Sequence, residues 1–392
     1  MKAVTHPSKS RRDRKPPAAA LMVAAAGILV TVARAGHELP VYPSYYPHEI
    51  AIETMAPQRA ADLLRENKLH AYLGPQPPFP GDTPASIRAV ESLGSFIIVR
   101  LNPASAAARD GSSACAMIET ILRGMAGRGG FVFHPYPVTP LHGDYLYFAD
   151  FAAAAKARVL SAAAAPPATQ NPKIKADGAL DNLVPAAWIA PGPEWDAAVE
   201  AIDAAGLLAG SMRSMNGWIG PPWLKAGWFH AERILAAALD DPDAKRRAEA
   251  ALARLEASQE HDSVERINLE RELVTALAGN CRKVVAGYTV RRQYFSAEFT
   301  EGIENIGFDS IAGLNSPMFL RTVKLKDFPW NGWLTLGIDK APQAAWNPIA
   351  GFDDPFGHLL WSAVGDPALL PQPYDSGWML NRISDVQPNS GR

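Results

Sequence analysis

IAIETMAPQRAADLLRENKLHAYLG, residues 50–74, changes hydrophobic period twice in twenty-five positions, and the fold can be argued outward from that change. Ile50–Met55 reads as a strand. Ala56–Leu69 then brings Ala60, Leu63 and Leu64 onto one helical face, and His70–Gly74 reads as a second strand. Strand, helix and strand in so short a span are close to the minimum for a parallel crossover. The proline-rich PQPPFPGDTP that follows must be loop, because each proline removes a backbone donor that a helix or ladder needs.

The alternation continues. Ser95–Leu101 (SFIIVRL) predicts a strand, Ser113–Gly127 a helix, Phe131–Phe133 a strand and Phe148–Leu160 an alanine-rich helix. Asn182–Ala190 is expected to be a strand, and Pro193–Ala209 a helix carrying Trp195, Ala198, Val199 and Ile202. Repeated alternation of this kind predicts an α/β layer with a mostly parallel sheet, whose ligands would sit at the carboxyl ends of the strands.

The second half reads differently. Ser161–Gly178 is low in complexity and reads as a linker, and Gly210–Trp223 (GSMRSMNGWIGPPW) is a second break. Ala226–Leu239 is amphipathic. Asp241-Pro242 suits the start of a second helix, and Asp262 with Glu265 has capping-box spacing ahead of a third, with Leu269, Leu273, Ala276 and Leu277 on one face. These predict a helical hairpin or small bundle. The last hundred residues turn β-rich and Trp-rich. Phe319–Lys326 alternates as a strand would, and Asn331-Gly332 marks a hairpin. Three segments follow: a leader over residues 1–35, an α/β lobe over 36–210, and a mixed helical and β lobe over 211–392.

The leader has the three parts of an export signal. A basic run reaches Lys15, fifteen mostly apolar residues span Ala18–Val32, and Ala33-Arg34-Ala35 forms an A-x-A cleavage site, so cleavage is expected after Ala35. The apolar run is short against the roughly twenty residues a bilayer requires, which favours cleavage over a retained anchor, and the mature chain is expected in the periplasm. Removing seven basic residues and one acid from totals of 38 and 40 leaves a mature net charge of −8. An acidic body repels phosphate backbones, so nucleic acid is excluded as a first partner and cations or basic partners are favoured. Cys115 and Cys281 are the only cysteines. An oxidising compartment would let them bridge, but Cys115 sits in an apolar helical pattern where a small buried hydrophobe is the plainer reading.

An exported chain whose mature part opens with a strand, the helix APQRAADLLRENKL and the strand HAYLG resembles the first lobe of a periplasmic solute-binding component of an ABC-type importer. The resemblance covers residues 50–210 and rests on layout, without a diagnostic motif. It implies a two-lobed clamp closing on a small ligand, and an inner-membrane transporter as partner. It assigns no binding residue.

Three constellations carry chemistry. FVFHPYPVTPLHGDYLYFAD (131–150) holds His134, His142 and Asp144, which would make a two-histidine, one-carboxylate metal site for a periplasmic metal-dependent enzyme. The alternative has His134 hydrogen-bonded in a sheet and Asp144 capping the following helix. SAEFTEGIENIGFDS holds Glu298, Glu301, Glu304 and Asp309. Steps of three would gather the glutamates on one helical face, as a hard divalent or trivalent cation requires, or they simply solvate an amphipathic helix. Trp218, Trp223 and Trp228 would line a groove for a sugar or organic cation, or pack in the core. GxSxG, HExxH, Walker A, GxGxxG and EF-hand patterns are absent from the sequence. A solute-binding protein is therefore the first functional reading, a metal-dependent enzyme the second, and an envelope interaction protein working through the Trp-rich end the third.

Overall fold

Residues 50–74 do form strand, helix and strand. The computed structural model describes residue 47 and residues 49–161, 171–209, 221–327, 332–342, 354–364, 368–381 and 383–385. The leader with its cleavage site, Trp218 and Asn331 lie outside them. β1 (Glu49–Thr54) leads into α1 (Pro57–Arg65), where proline at the first helical position fixes φ and needs no donor. α1 buries Ala60, Ala61, Leu63 and Leu64, and β2 (Ala71–Tyr72) follows.

β3 (Ile87–Leu101) is twice the expected length. α2 (Gly111–Met125) is capped by Asp110, which accepts from the Ser113 amide at 2.9 Å. β4 (Val132–Phe133), α3 (Ala149–Ser161) and β5 (Ile174–Ala176) come next. The strand expected over Asn182–Ala190 is two 3-10 turns, Asp181–Leu183 and Ala186–Trp188, separated by Pro185. The helix expected over Pro193–Ala209 is instead β6 (Ala197–Asp203) followed by the short α4 (Ala204–Ala209). Helix-forming alanines lose there to a sheet position in which Ala197, Ala198 and Val199 are buried between two neighbours.

The three-helix expectation holds. α5 (Gly227–Leu235), α6 (Pro242–Glu256) and α7 (Ser263–Ala278) pack together through Trp228, Ile234, Leu255, Leu269 and Leu273. Asp241 and Asp262 cap α6 and α7 by accepting from Asp243 and Glu265 amides at 2.9 and 2.8 Å. β7 (Lys283–Ser296) and β8 (Ile303–Asn305) follow. Phe319–Lys326 is not one strand. Ser316 caps α8 (Pro317–Thr322), again with proline at the first position, before the two-residue β9 (Lys324–Leu325). β10 (Trp333–Ile338), α9 (Pro355–Val364), β11 (Leu369–Pro371) and β12 (Trp378–Leu380) complete the described elements.

The main sheet has eight strands in the order β1-β10-β2-β7-β3-β6-β5, with β4 beside β7. β1 and β2 both run parallel to β10, which is inserted between them, and β5 is parallel to β6. The centre is antiparallel, through β2–β7, β7–β3, β3–β6 and β4–β7. The α/β class is as expected, and the sheet is parallel at its flanks and antiparallel in its middle. Its strands come from both sides of residue 210, so the expected division at that point runs through one shared sheet. β4 approaches so closely that a Cβ on Gly287 would collide with the Val132 carbonyl, which fixes glycine there.

β3 explains why SFIIVRL is apolar on consecutive residues. Phe96 and Ile98 join the core made with α5–α7, whereas Ile97, Val99 and Leu101 join the core on the other face with Ile118, Ile121 and Leu122 of α2. Cys115 and Cys281 form a disulfide with Cα atoms 5.0 Å apart, tying α2 to the turn between α7 and β7. The unpaired reading of Cys115 is thereby corrected. No helix among the described residues is long and apolar enough to cross a membrane.

Candidate functional site

The disulfide forms part of the wall of a cleft with a volume of about 580 Å³. Its sides come from the first turns of α2, the Leu239–Asp241 turn with the start of α6, and the exposed face of α7. Ala114, Phe151, Leu239, Ala244, Ala276 and the bridge make the floor apolar. Most of the charged groups around it are already engaged. The Arg271 guanidinium donates to both Asp150 oxygens at 2.9 and 2.7 Å and lies 4.0 Å over the Phe151 ring. Arg282 donates to Asp240 at 2.6 Å and to the Ala108 carbonyl. Asn280 accepts from the Arg282 amide at 2.6 Å and donates to the Ala238 carbonyl. Asp241 is used by the α6 cap. Arg247, Glu272 and Thr275 remain, with side chains that no other described residue engages. The cleft thus offers one cation, one carboxylate and one hydroxyl above an apolar floor. That combination can hold a small molecule bearing charge of both signs on an apolar body.

The residues singled out from the sequence lie elsewhere. His134, His142 and Asp144 are buried but do not converge. The His134 amide donates to the Ala286 carbonyl at 3.1 Å and its Nε2–H donates to the Val138 carbonyl at 2.9 Å. The Thr139 amide donates to His142 Nδ1 at 2.9 Å, which makes that nitrogen an acceptor and leaves the proton on Nε2. Nε2–H then donates to His230 Nδ1 at 3.0 Å. Phe96 stacks on the His142 ring and meets His230 edge-on. Burial holds His142 well below the usual imidazole range, with repulsion from His230 adding to it, and burial lowers His230 to about 4. Both rings are therefore neutral.

Asp144 does cap a helix, but the helix is α5, far along the chain. Its two oxygens accept from the Gly227 amide at 2.9 Å each, and one also accepts from Trp228 at 3.4 Å. Burial nonetheless raises its pKa to about 6, against the downward pull of those amides. Glu270 of α7 is 3 % exposed and bonded to Arg266 at 3.0 Å, and burial with repulsion from Asp144 lifts it to about 7.

The carboxylate cluster is not assembled either. Residues 297–302 form a turn instead of a helix, so steps of three gather nothing. Glu298 folds back to accept from the Thr300 and Glu301 amides at 2.7 and 2.8 Å, and Glu304 pairs with Lys324 at 2.9 Å. Asp309 is buried and paired with Lys225 at 2.6 Å. Among the described residues no three His, Cys, Asp or Glu side chains are placed to hold a metal ion. Trp223 stacks on the fully buried Trp228 with centroids 5.5 Å apart, the packing alternative, and Trp218 lies outside the described residues.

The cleft residues carried little sequence signal. Arg247, Glu272 and Thr275 look like any solvated helix face, and the bond between Cys115 and Cys281 ties α2 to the turn after α7.

No protein-family model matches the chain, and no curated protein matches it by sequence. Solved structures similar to it include NikA from Brucella suis in complex with Fe(III)-EDTA, at 14 % identity and a TM-score of 0.38 over 69 % of this chain and 60 % of that one. OppA from Haemophilus influenzae, in complex with the peptide RPPGFSPFR, gives 13 % identity and a TM-score of 0.37 over 69 % and 56 %. MppA, a periplasmic murein tripeptide binding protein in its unliganded open form, gives 14 % and 0.33 over 61 % and 51 %. The chain thus spans 51 to 60 % of the length of these structures.

Proposed function

We propose that this protein is an exported, periplasmic binding protein for a small solute, working as a solute-binding or accessory component of an uptake system with an inner-membrane transporter. The solute sits in the cleft bounded by α2, α6 and α7. What carries the reading is that cleft's content. Its volume of about 580 Å³ falls within the roughly 300–1,000 Å³ typical of small-molecule sites, and Arg247, Glu272 and Thr275 are left uncommitted over an apolar floor. Two further features support it. The three-part leader ending at Ala35 supplies export, and the Cys115–Cys281 bridge belongs to an oxidising compartment. The ligand is a molecule carrying both a positive and a negative group, since a purely anionic or cationic one would leave Glu272 or Arg247 unpaired.

Thermal unfolding against a panel of amino acids, short peptides, betaines, sugars and metal chelates tests this. A ligand present at one hundred times its Kd stabilises by about 2.7 kcal/mol. The expected result is a shift with a zwitterionic panel member that Arg247→Ala and Glu272→Ala each abolish. A panel without any shift, or a shift that both variants retain, overturns the assignment.

A further inference from the structure

A second cavity of about 180 Å³ also adjoins the disulfide, sharing Cys115, Gly279, Asn280 and Cys281 with the cleft. It is less open to solvent and chemically unlike its neighbour. Ile118 and Leu122 of α2, Val159 of α3, Leu235 of α5 and Val285 of β7 give it aliphatic walls. Its charged groups are Glu119, Arg158 and Lys283. The first two face each other at 3.8 Å and offset one another. Among the described residues no carboxylate forms an ion pair with Lys283. Glu200, the acid that acts on it across the sheet, is held by the Arg100 guanidinium at 2.5 Å, and Lys283 is the register partner of Arg100 on β3. A half-buried ammonium thus faces aliphatic walls, and the one carboxylate among the described lining residues, Glu119, is engaged by Arg158.

We propose that this cavity binds a small aliphatic monocarboxylate, with the carboxylate paired to the Lys283 ammonium and the hydrocarbon chain against Ile118, Leu122, Val159, Leu235 and Val285. The assignment is independent of the solute assigned to the larger cleft. Size sets the chain length, because the cavity is well under the roughly 300 Å³ at which drug-sized ligands begin to fit. Charge sets the head group. A neutral ligand would leave the ammonium as it is, whereas a carboxylate neutralises it in a place where opposite charges are poorly screened. The titration of Lys283 agrees with a missing partner: burial lowers its pKa from the ordinary lysine range, Glu200 raises it and Arg100 lowers it.

Isothermal titration calorimetry of the oxidised full chain with acetate, propionate, butyrate, valerate and hexanoate tests the site. Each methylene buried should tighten binding about fourfold until the cavity is full, after which affinity levels or falls. Butyramide, which keeps the shape of butyrate without its charge, should bind at least about tenfold more weakly to the wild-type protein, a comparison that needs no variant to fold. Lys283→Met should lose at least about tenfold for butyrate, while Lys283→Arg retains binding. Three results would overturn the proposal: no saturable binding anywhere in the series, equal affinity for butyrate and butyramide, or a folded Lys283→Met variant that binds butyrate as the wild type does.

Discussion

Glu270→Gln and His230→Gln should tilt the pH dependence of stability in opposite directions, because the two buried groups are displaced oppositely from their ordinary pKa values. Glu270 is raised from 4.5 to about 7, so the native protein takes up its proton first as the pH falls. Its contribution to stability is full below 4.5 and is lost as the pH rises through 7. His230 is lowered from 6.5 to about 4, so the unfolded chain takes up that proton first. Its contribution is full above 6.5 and is lost as the pH falls through 4. Each displacement is worth about 3 kcal/mol between the ends of its window. Asp144, raised from 3.8 to about 6, acts in the sense of Glu270, and His142, held low, acts in the sense of His230. The wild-type protein should therefore have a shallow stability profile between pH 7.5 and 4.5. Glu270→Gln removes one term on one side, so that variant should lose about 3 kcal/mol relative to wild type as the pH is lowered across this range, and His230→Gln should gain a similar amount. Urea unfolding followed by tryptophan fluorescence at four pH values measures both. A destabilisation that is constant within about 0.5 kcal/mol across the window for either variant, or a slope of the wrong sign, would refute the reasoning.

Three other outcomes follow from the same contacts. The double change Cys115→Ala and Cys281→Ala reopens a loop of sequence separation 166, for which loop-closure entropy predicts a loss of about 5 kcal/mol, read as a lower urea midpoint that dithiothreitol reproduces in the wild type alone. Asp144→Ala strips the buried Gly227 amide of its acceptor and uncaps α5, and should cost about 2 kcal/mol in the same assay; a loss under about 0.5 kcal/mol would mean that α5 is capped some other way. Lys225→Met leaves the Asp309 carboxylate buried without its cation, a loss of about 3–5 kcal/mol, and adding Asp309→Leu should restore much of it; additive losses in the double variant would contradict the pairing.

The legible parts of the fold were those in which local pattern and tertiary position agree. Ala60, Leu63 and Leu64 share a face and are buried as one, and Asp241 and Asp262 cap the helices their spacing announces. SFIIVRL reads as a strand buried on both faces and is one. The misreadings arose where the partner was remote. Nothing local in Ala197–Asp203 overrides the helix preference of alanine, and only pairing to β3 and β5 does so. The antiparallel centre of the sheet could not be inferred, because β7, from residues 283–296, lies between β2 and β3 and runs against both. The densest cluster of polar residues, His134 to Asp144, was conspicuous for a structural reason. It joins a strand, a loop and the N-terminus of α5 inside an apolar core, where buried polar groups mostly pair with one another, His230 Nε2 being an exception. The cleft was hidden because its uncommitted residues are ordinary helix-surface types that α7 and α6 bring together only after folding.

An exported, bridged chain that carries a small solute in the cleft walled by α2, α6 and α7 is what we propose. Native mass spectrometry of the full-length gene product, recovered by osmotic shock from a Gram-negative host and compared with Arg247→Ala, tests it most directly. The prediction is a chain beginning at Gly36, lighter by two hydrogens for the Cys115–Cys281 bridge, with a labile small-molecule adduct that Arg247→Ala lacks. An uncleaved chain of 392 residues confined to the cytosol, with both thiols open to alkylation and no adduct, would contradict it.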